Sequence, residues 1–258
     1  MKPDAGLINQ IAVERGFEAA TVEKVLRLLG LLSEIARHPF LRMRLVLKGG
    51  TALNLFHWEM PRLSVDIDLN YVGAVSLDQT RAERPRVQQA LQNIVDAGSY
   101  RIQCGNPTHA NETWHLWYRS AQGMQDHVEV DVNFLMRVCL FEPEIRPCML
   151  DRAAPVGFSV LAIEELMAGK LVALLDRSAP RDLYDTYCFL MSGIDYDHGK
   201  LRQAFLIFAC AGLPLPLWEY DADRLVRIDE AAVAQTLWPV LVLHKLNYAI
   251  IPDTTSAT

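Results

Sequence analysis

Apolar positions recur at helical spacing from residue 7 to about 36, through Val22, Leu26, Leu29, Leu32 and Ile35, and predict one or two helices. Leu45-Val46-Leu47 is a short apolar run ending at Lys48, which reads as a strand, and residues 51–58 predict a short helix with Pro61 in the connection behind it. Residues 64–72 alternate: Val65, Ile67, Leu69 and Tyr71 share one face, Ser64, Asp66, Asp68 and Asn70 the other. A period of two marks a half-buried strand. Residues 77–97 form a charged amphipathic helix, with Pro85 placed near its first turn.

Residues 100–104 and 113–121 read as strands, Gly123 to Asp126 as a turn, and 127–136 as a further alternating strand. Beyond Pro143, Pro147 and Pro155 the pattern changes, and 160–177, 182–192, 200–211 and 223–246 all predict helices. The polar residues 252–258 read as a frayed tail. The expected class is α+β, with a mixed-sheet domain over residues 1–155 and a helical C-terminal domain over 156–258. The chain of 258 residues has length for a sizeable core.

Composition narrows the function classes. A hydrophobic fraction of 51% with 22% charged residues suits a folded globular chain. The formal net charge of −6 lacks the broad basic footprint of a protein that grips nucleic acid by phosphate contact alone, so any basic surface is local. No apolar span reaches 18 residues, and the first residues lack the apolar run of a signal peptide, so no membrane partner is expected. The five cysteines are scattered, with no C-x-x-C pair, which fits a reducing cytoplasm better than a zinc site or a disulfide framework.

The chemistry concentrates in one segment. Asp66 and Asp68 are two apart on a strand, so both leave one face roughly 7 Å apart along it. Carboxylates held that close repel unless a cation lies between them, and hard divalent ions such as Mg²⁺ are held by one or two carboxylates plus substrate phosphates. Lys48-Gly49-Gly50-Thr51 lies between a strand and a helix, where backbone N–H groups and the helix dipole receive phosphate oxygens. Either feature alone is common; together they specify a site for a nucleoside triphosphate (NTP) and two Mg²⁺ ions. A third carboxylate is expected from a neighbouring strand, and Asp131 is favoured over Glu129, with which it shares a face. Further on, one straight helix would hold Lys170 and Asp182 about 18 Å apart. Pro180 breaks the helix, letting the chain turn and bring Lys170 to Asp182 and Asp185.

K-G-G-T-A-L, eight residues, R-L-S-V-D-I-D-L and a later K…R-D-L-Y-D resemble the AbiEii/AbiGii nucleotidyltransferase toxins of bacterial abortive-infection systems, members of the DNA polymerase β-like superfamily. The resemblance spans residues 45–190. It implies a polymerase β-like core with a mixed sheet flanked by helices, and transfer of a nucleoside monophosphate with release of pyrophosphate. Gly49, Gly50 and Thr51 match the phosphate turn, with Lys48 before it; Arg62 and Ser64 match residues contacting phosphate. Asp66 and Asp68 match metal ligands, and Lys170 with Asp182 or Asp185 matches the later lysine–aspartate motif. It also implies an RNA acceptor such as the 3′ end of tRNA, a role in phage defence, and an antitoxin encoded nearby. Two other readings stay open: transfer to a small molecule or protein side chain, and a catalytically silent nucleotide-binding module.

Several residues invite over-reading. His109 and His115 are expected in polar or packing roles rather than as a metal pair. His57 and Trp58 are expected to pack, and Trp114, Trp117 and Tyr118 to belong to the core rather than to stack a base.

Overall fold

The computed structural model describes residues 2–58, 61–105, 108–150, 157–221, 223 and 228–243. Helices α1 (Ala5–Arg15) and α2 (Ala19–Arg37) open the chain. Strand β1 (Leu45–Lys48) runs into α3 (Gly49–Ala52), which continues as a π-helical turn over Leu53–His57. Next come β2 (Asp66–Tyr71), α4 (Leu77–Ala97), β3 (Arg101–Cys104), β4 (Asn111–Arg119) and β5 (Gln125–Asn133). Then follow β6 (Glu144–Arg146), β7 (Phe158–Val160), α5 (Ile163–Arg177), α6 (Pro180–Met191), α7 (His198–Gly212) and α8 (Glu230–Thr236).

The strands form a seven-stranded mixed sheet in the order β3-β4-β5-β2-β1-β7-β6. Strand β2 is antiparallel to β1 and parallel to β5, which places it at the centre. Ile67, Leu69 and Tyr71 from β2 join Val128, Val130 and Val132 from β5 and Trp114, Leu116 and Tyr118 from β4 in the core, where α2 packs on β5 and β7. Strict alternation leaves the polar residues of the same strands on the opposite face. That face carries Lys48, Asp66, Asp68, Glu129 and Asp131.

The structure corrects several elements. Pro85 lies well inside α4 rather than in its first turn. Strand β5 starts at Gln125, within the segment expected as a turn. Strands β6 and β7 were not anticipated: three residues each are too short to show a period. The chain beyond residue 156 is therefore not purely helical, because β7 pairs in parallel with β1, Leu47 opposite Val160. The expected helix over 223–246 is not continuous: the described residues 228 and 229 are not helical, α8 covers Glu230–Thr236, and a 3₁₀ turn follows at Trp238–Val240. The expected boundary at residue 155 and the tail at 252–258 lie outside the described residues.

Trp114 and Tyr118 are core, but Trp117, one residue off in register, faces the polar side and stacks on His127 with ring centroids 4.7 Å apart. No disulfide joins the four described cysteines, and no described helix is long and apolar enough to cross a membrane.

Candidate active site

Register assembles the polar face into cross-strand rows. Lys48 on β1 pairs with Asp68 on β2, Asp68 with Asp131 on β5, and Asp131 with Thr113 on β4. Directly paired residues project to the same side, so these four side chains form one line across four strands. The next line runs from Asp66 to Glu129 to His115. Strand alternation accounts for Asp66 beside Asp68 and Glu129 beside Asp131; only pairing of β2 with β5 brings the two acidic pairs together.

The acids stand close enough to disturb one another. Burial first, then the neighbouring Asp66 and Asp131, push the Asp68 carboxyl above the ordinary aspartate range against the pull of Lys48 and Lys170. Burial, Asp131 and Asp66 likewise raise Glu129. The Thr113 hydroxyl donates to Asp131 Oδ1 and fixes the orientation of that carboxylate. Thr113 was not foreseen; a threonine on a strand carries no signal until its register partner is known.

The glycine turn is built around the same acids. Gly49 has φ +72°, in the left-handed region, and a Cβ placed on it would lie 2.2 Å from Asp68 Oδ2. Its missing side chain is thus the space the carboxylate occupies. A Cβ on Gly50 would lie 2.8 Å from both the Arg62 guanidinium and Ser64 Oγ. The Thr51 hydroxyl donates to the carbonyl of Asp66, tying the helix to β2. Gly49→Ala should therefore combine backbone strain of roughly 1–3 kcal/mol with displacement of Asp68. The expected outcome is near-complete loss of nucleotide transfer with a modest fall in melting temperature, checked by transfer assay and thermal unfolding.

Behind the turn lies a chain of alternating charges, largely buried except for Arg177 at its outer end. Helix α5 ends at Ser178 in the left-handed conformation and Pro180 begins α6, so the two helices fold back on each other. Lys170 Nζ reaches Asp182 Oδ1 at 2.8 Å and Asp185 Oδ2 at 3.0 Å. Arg62 holds Asp185 with Nε and Nη2 each at 2.7 Å, and Arg177 holds Asp182 at 2.7 Å. Asp182 and Asp185 are fully buried, so neither opens to solvent. Burial alone would raise Asp185, but Arg62 and Lys170 outweigh it and hold its carboxyl below the usual range.

Arg62 is itself buried, its guanidinium turned to Asp185 and the Leu63 carbonyl, and Ser64 is buried against Gly50. Lys170, between these acids and Asp68, is the cation of this chain that also acts on the carboxylate row. Two residues join unannounced. Asn54 donates to Asp185 Oδ1 and to the Gly50 carbonyl, and Arg181 lies 3.6 Å from Asp66. Asn54 follows Gly50 by one helical turn, a spacing that lets its amide reach back to the Gly50 carbonyl.

A separate cavity of about 650 Å³ is lined by His57, Glu144, Arg146, Glu164, Asp195 and Lys200. None of the three aspartates of the row and its neighbour, Asp66, Asp68 and Asp131, borders it. Burial and Arg146 push His57 down to about 4, so it is neutral at physiological pH, with Nε2 3.2 Å from the Leu161 carbonyl.

The model of the family described as "Nucleotidyl transferase AbiEii toxin, Type IV TA system" matches residues 30–239. The chain belongs to this family. It is accordingly a nucleotidyltransferase, and its fold is α+β. Among solved structures it is similar to MenT4, a nucleotidyltransferase toxin from Mycobacterium tuberculosis H37Rv, at TM-score 0.63 and 16% identity over 89% of this chain and 80% of that one. It is also similar to JHP933 from Helicobacter pylori, at TM-score 0.53 and 16% identity over 90% and 95%. At such identities the likeness speaks for the fold alone. No curated protein matches the sequence significantly.

Proposed function

We propose that this AbiEii-family enzyme transfers a nucleoside monophosphate from an NTP to the 3′ end of an RNA, tRNA being the favoured acceptor, and that it acts in the cytoplasm as a toxin restrained by a cognate antitoxin and serving phage defence. The observation that carries the reading is the register row Lys48–Asp68–Asp131, with Asp66 alongside and the Gly49 backbone against Asp68. An Asp68 carboxyl raised by burial and by the acids beside it belongs to a donor set that a hard divalent cation relieves, so the residues fit Mg²⁺. Asp66, Asp68 and Asp131 would hold two such ions. When bound, they would neutralise phosphate charge and polarise the attacking hydroxyl.

The remaining roles fall to the chain itself. The backbone N–H groups of Gly49, Gly50 and Thr51 are the acceptors' counterpart for triphosphate oxygens at a helix start. Lys48 and Lys170 both add positive charge beside Asp68. Asp182 and Asp185 position Lys170 rather than touch substrate, and Arg62 with Ser64 braces the turn from beneath. Asp131, oriented by Thr113, would act as a ligand to the cation and take the proton of the acceptor hydroxyl.

The test is incubation of the purified protein with each α-labelled NTP, total RNA and Mg²⁺, followed by sequencing of RNA 3′ ends. New 3′ nucleotides that vanish on chelation are the expected result. Label found only on protein or on a small molecule would replace RNA as acceptor. No label with any NTP would remove the reading.

A further inference from the structure

We infer that the sheet carries a second cation site, for a divalent transition metal of the Zn²⁺ class, formed by His115, His127 and Glu129. Each of the three offers one ligand atom, and these atoms all lie within 4.8 Å of one another. The placement follows from the strands. His115 on β4 is the direct partner of Glu129 on β5, and His127 precedes Glu129 by two residues, so all three project from the polar face. His115 Nδ1 is 3.3 Å from Glu129 Oε2, and the two imidazole centroids are 5.6 Å apart.

A histidine and a carboxylate facing each other across two strands could be a plain hydrogen-bonded pair. The second imidazole makes the difference: it adds a neutral nitrogen donor to the same carboxylate, where charge pairing needs only one. Burial and the nearby Lys24 hold His127 toward its neutral, ligating form. Its ring is braced by stacking on Trp117. The three side chains are about one-third exposed, at 32%, 37% and 34%, which leaves solvent room for further ligands. Two imidazoles and one carboxylate suit Zn²⁺, Co²⁺, Ni²⁺ or Fe²⁺, whereas Mg²⁺ takes oxygen donors. The two sites on this face are therefore separated by ligand chemistry although Glu129 is the register neighbour of Asp66. The set escapes sequence inspection because His127 and His115 are on different strands, and the proposal does not depend on what the enzyme transfers.

Titration of the tag-free, chelator-treated full-length protein with Co²⁺, followed by visible absorption, tests the assignment. One Co²⁺ should bind per chain with ligand-field bands, persist in excess Mg²⁺ and be displaced by Zn²⁺. His115→Gln and His127→Gln should each weaken binding about tenfold or more with unchanged thermal unfolding, whereas Asp66→Ala should retain it. No bands, bands lost with Mg²⁺ or with Asp66→Ala, or binding that survives both histidine substitutions would each overturn it.

Discussion

Asp68→Asn should lose nucleotide transfer by about a thousandfold or more and yet unfold at a higher temperature than the parent in the absence of divalent cations. The two signs have one cause. Asp68 is half-buried between Asp66 and Asp131, so its ionised form is disfavoured in the folded chain and its pKa is raised. An acid with a raised folded-state pKa stabilises the fold only below its unfolded pKa, and that contribution is lost as pH rises through the folded value. At neutral pH the charge is thus a liability, which the isosteric amide removes. The same charge is what would hold the metal, so Mg²⁺ should stabilise the parent and leave the variant's unfolding temperature unchanged. Transfer assays and thermal unfolding with and without Mg²⁺ check both halves. A variant that retains transfer, or a parent indifferent to Mg²⁺, would refute the assignment of Asp68.

Asp185→Ala is expected to be the most destabilising single change in the site, at about 3–5 kcal/mol, or a melting temperature lower by roughly 10 °C or more. Truncation leaves the Arg62 guanidinium buried without its bidentate partner and removes one of the two acids on Lys170. An unpaired buried charge costs far more than the pair contributes, so Arg62→Met with Asp185→Leu should recover much of the loss, since Lys170 keeps Asp182. Because Asp185 titrates below the ordinary range, its contribution is present above the unfolded aspartate pKa. It is lost as pH falls through the depressed value. Acid unfolding of the parent should therefore include a component absent from the double variant. Denaturant titrations at neutral and acidic pH measure it; equal acid sensitivity of the two proteins would contradict the linkage.

Local chemistry was legible in the order of residues. Alternation in residues 64–72 identified β2 and put Asp66 and Asp68 on one face, because a strand repeats every two residues whatever surrounds it. The glycine pair after an apolar run located the turn, and Pro180 marked the break that lets α5 and α6 fold back, since both residue types act through their own backbone. What depended on other segments was not legible. Strands β6 and β7 exist because the edge of the sheet offers them partners, and their sequences are too short to declare it.

The choice between Asp131 and Glu129 shows where reading along the chain stops. Both acids share a face of β5, and the apolar neighbours that favour Asp131 in the sequence do not say what either acid meets across the sheet. Parallel pairing with β2 sets Asp131 against Asp68 and Glu129 against Asp66, and pairing with β4 then adds Thr113 to one and His115 to the other. Arg62 illustrates the same limit: the family resemblance implies a phosphate contact for it, and only the fold turns it inward to Asp185, far along the chain. The amino-acid order determined the elements, the bend and the acidic strand, because period and backbone freedom are local. Register and burial, set by hydrogen bonds and packing between distant segments, decided which charges meet.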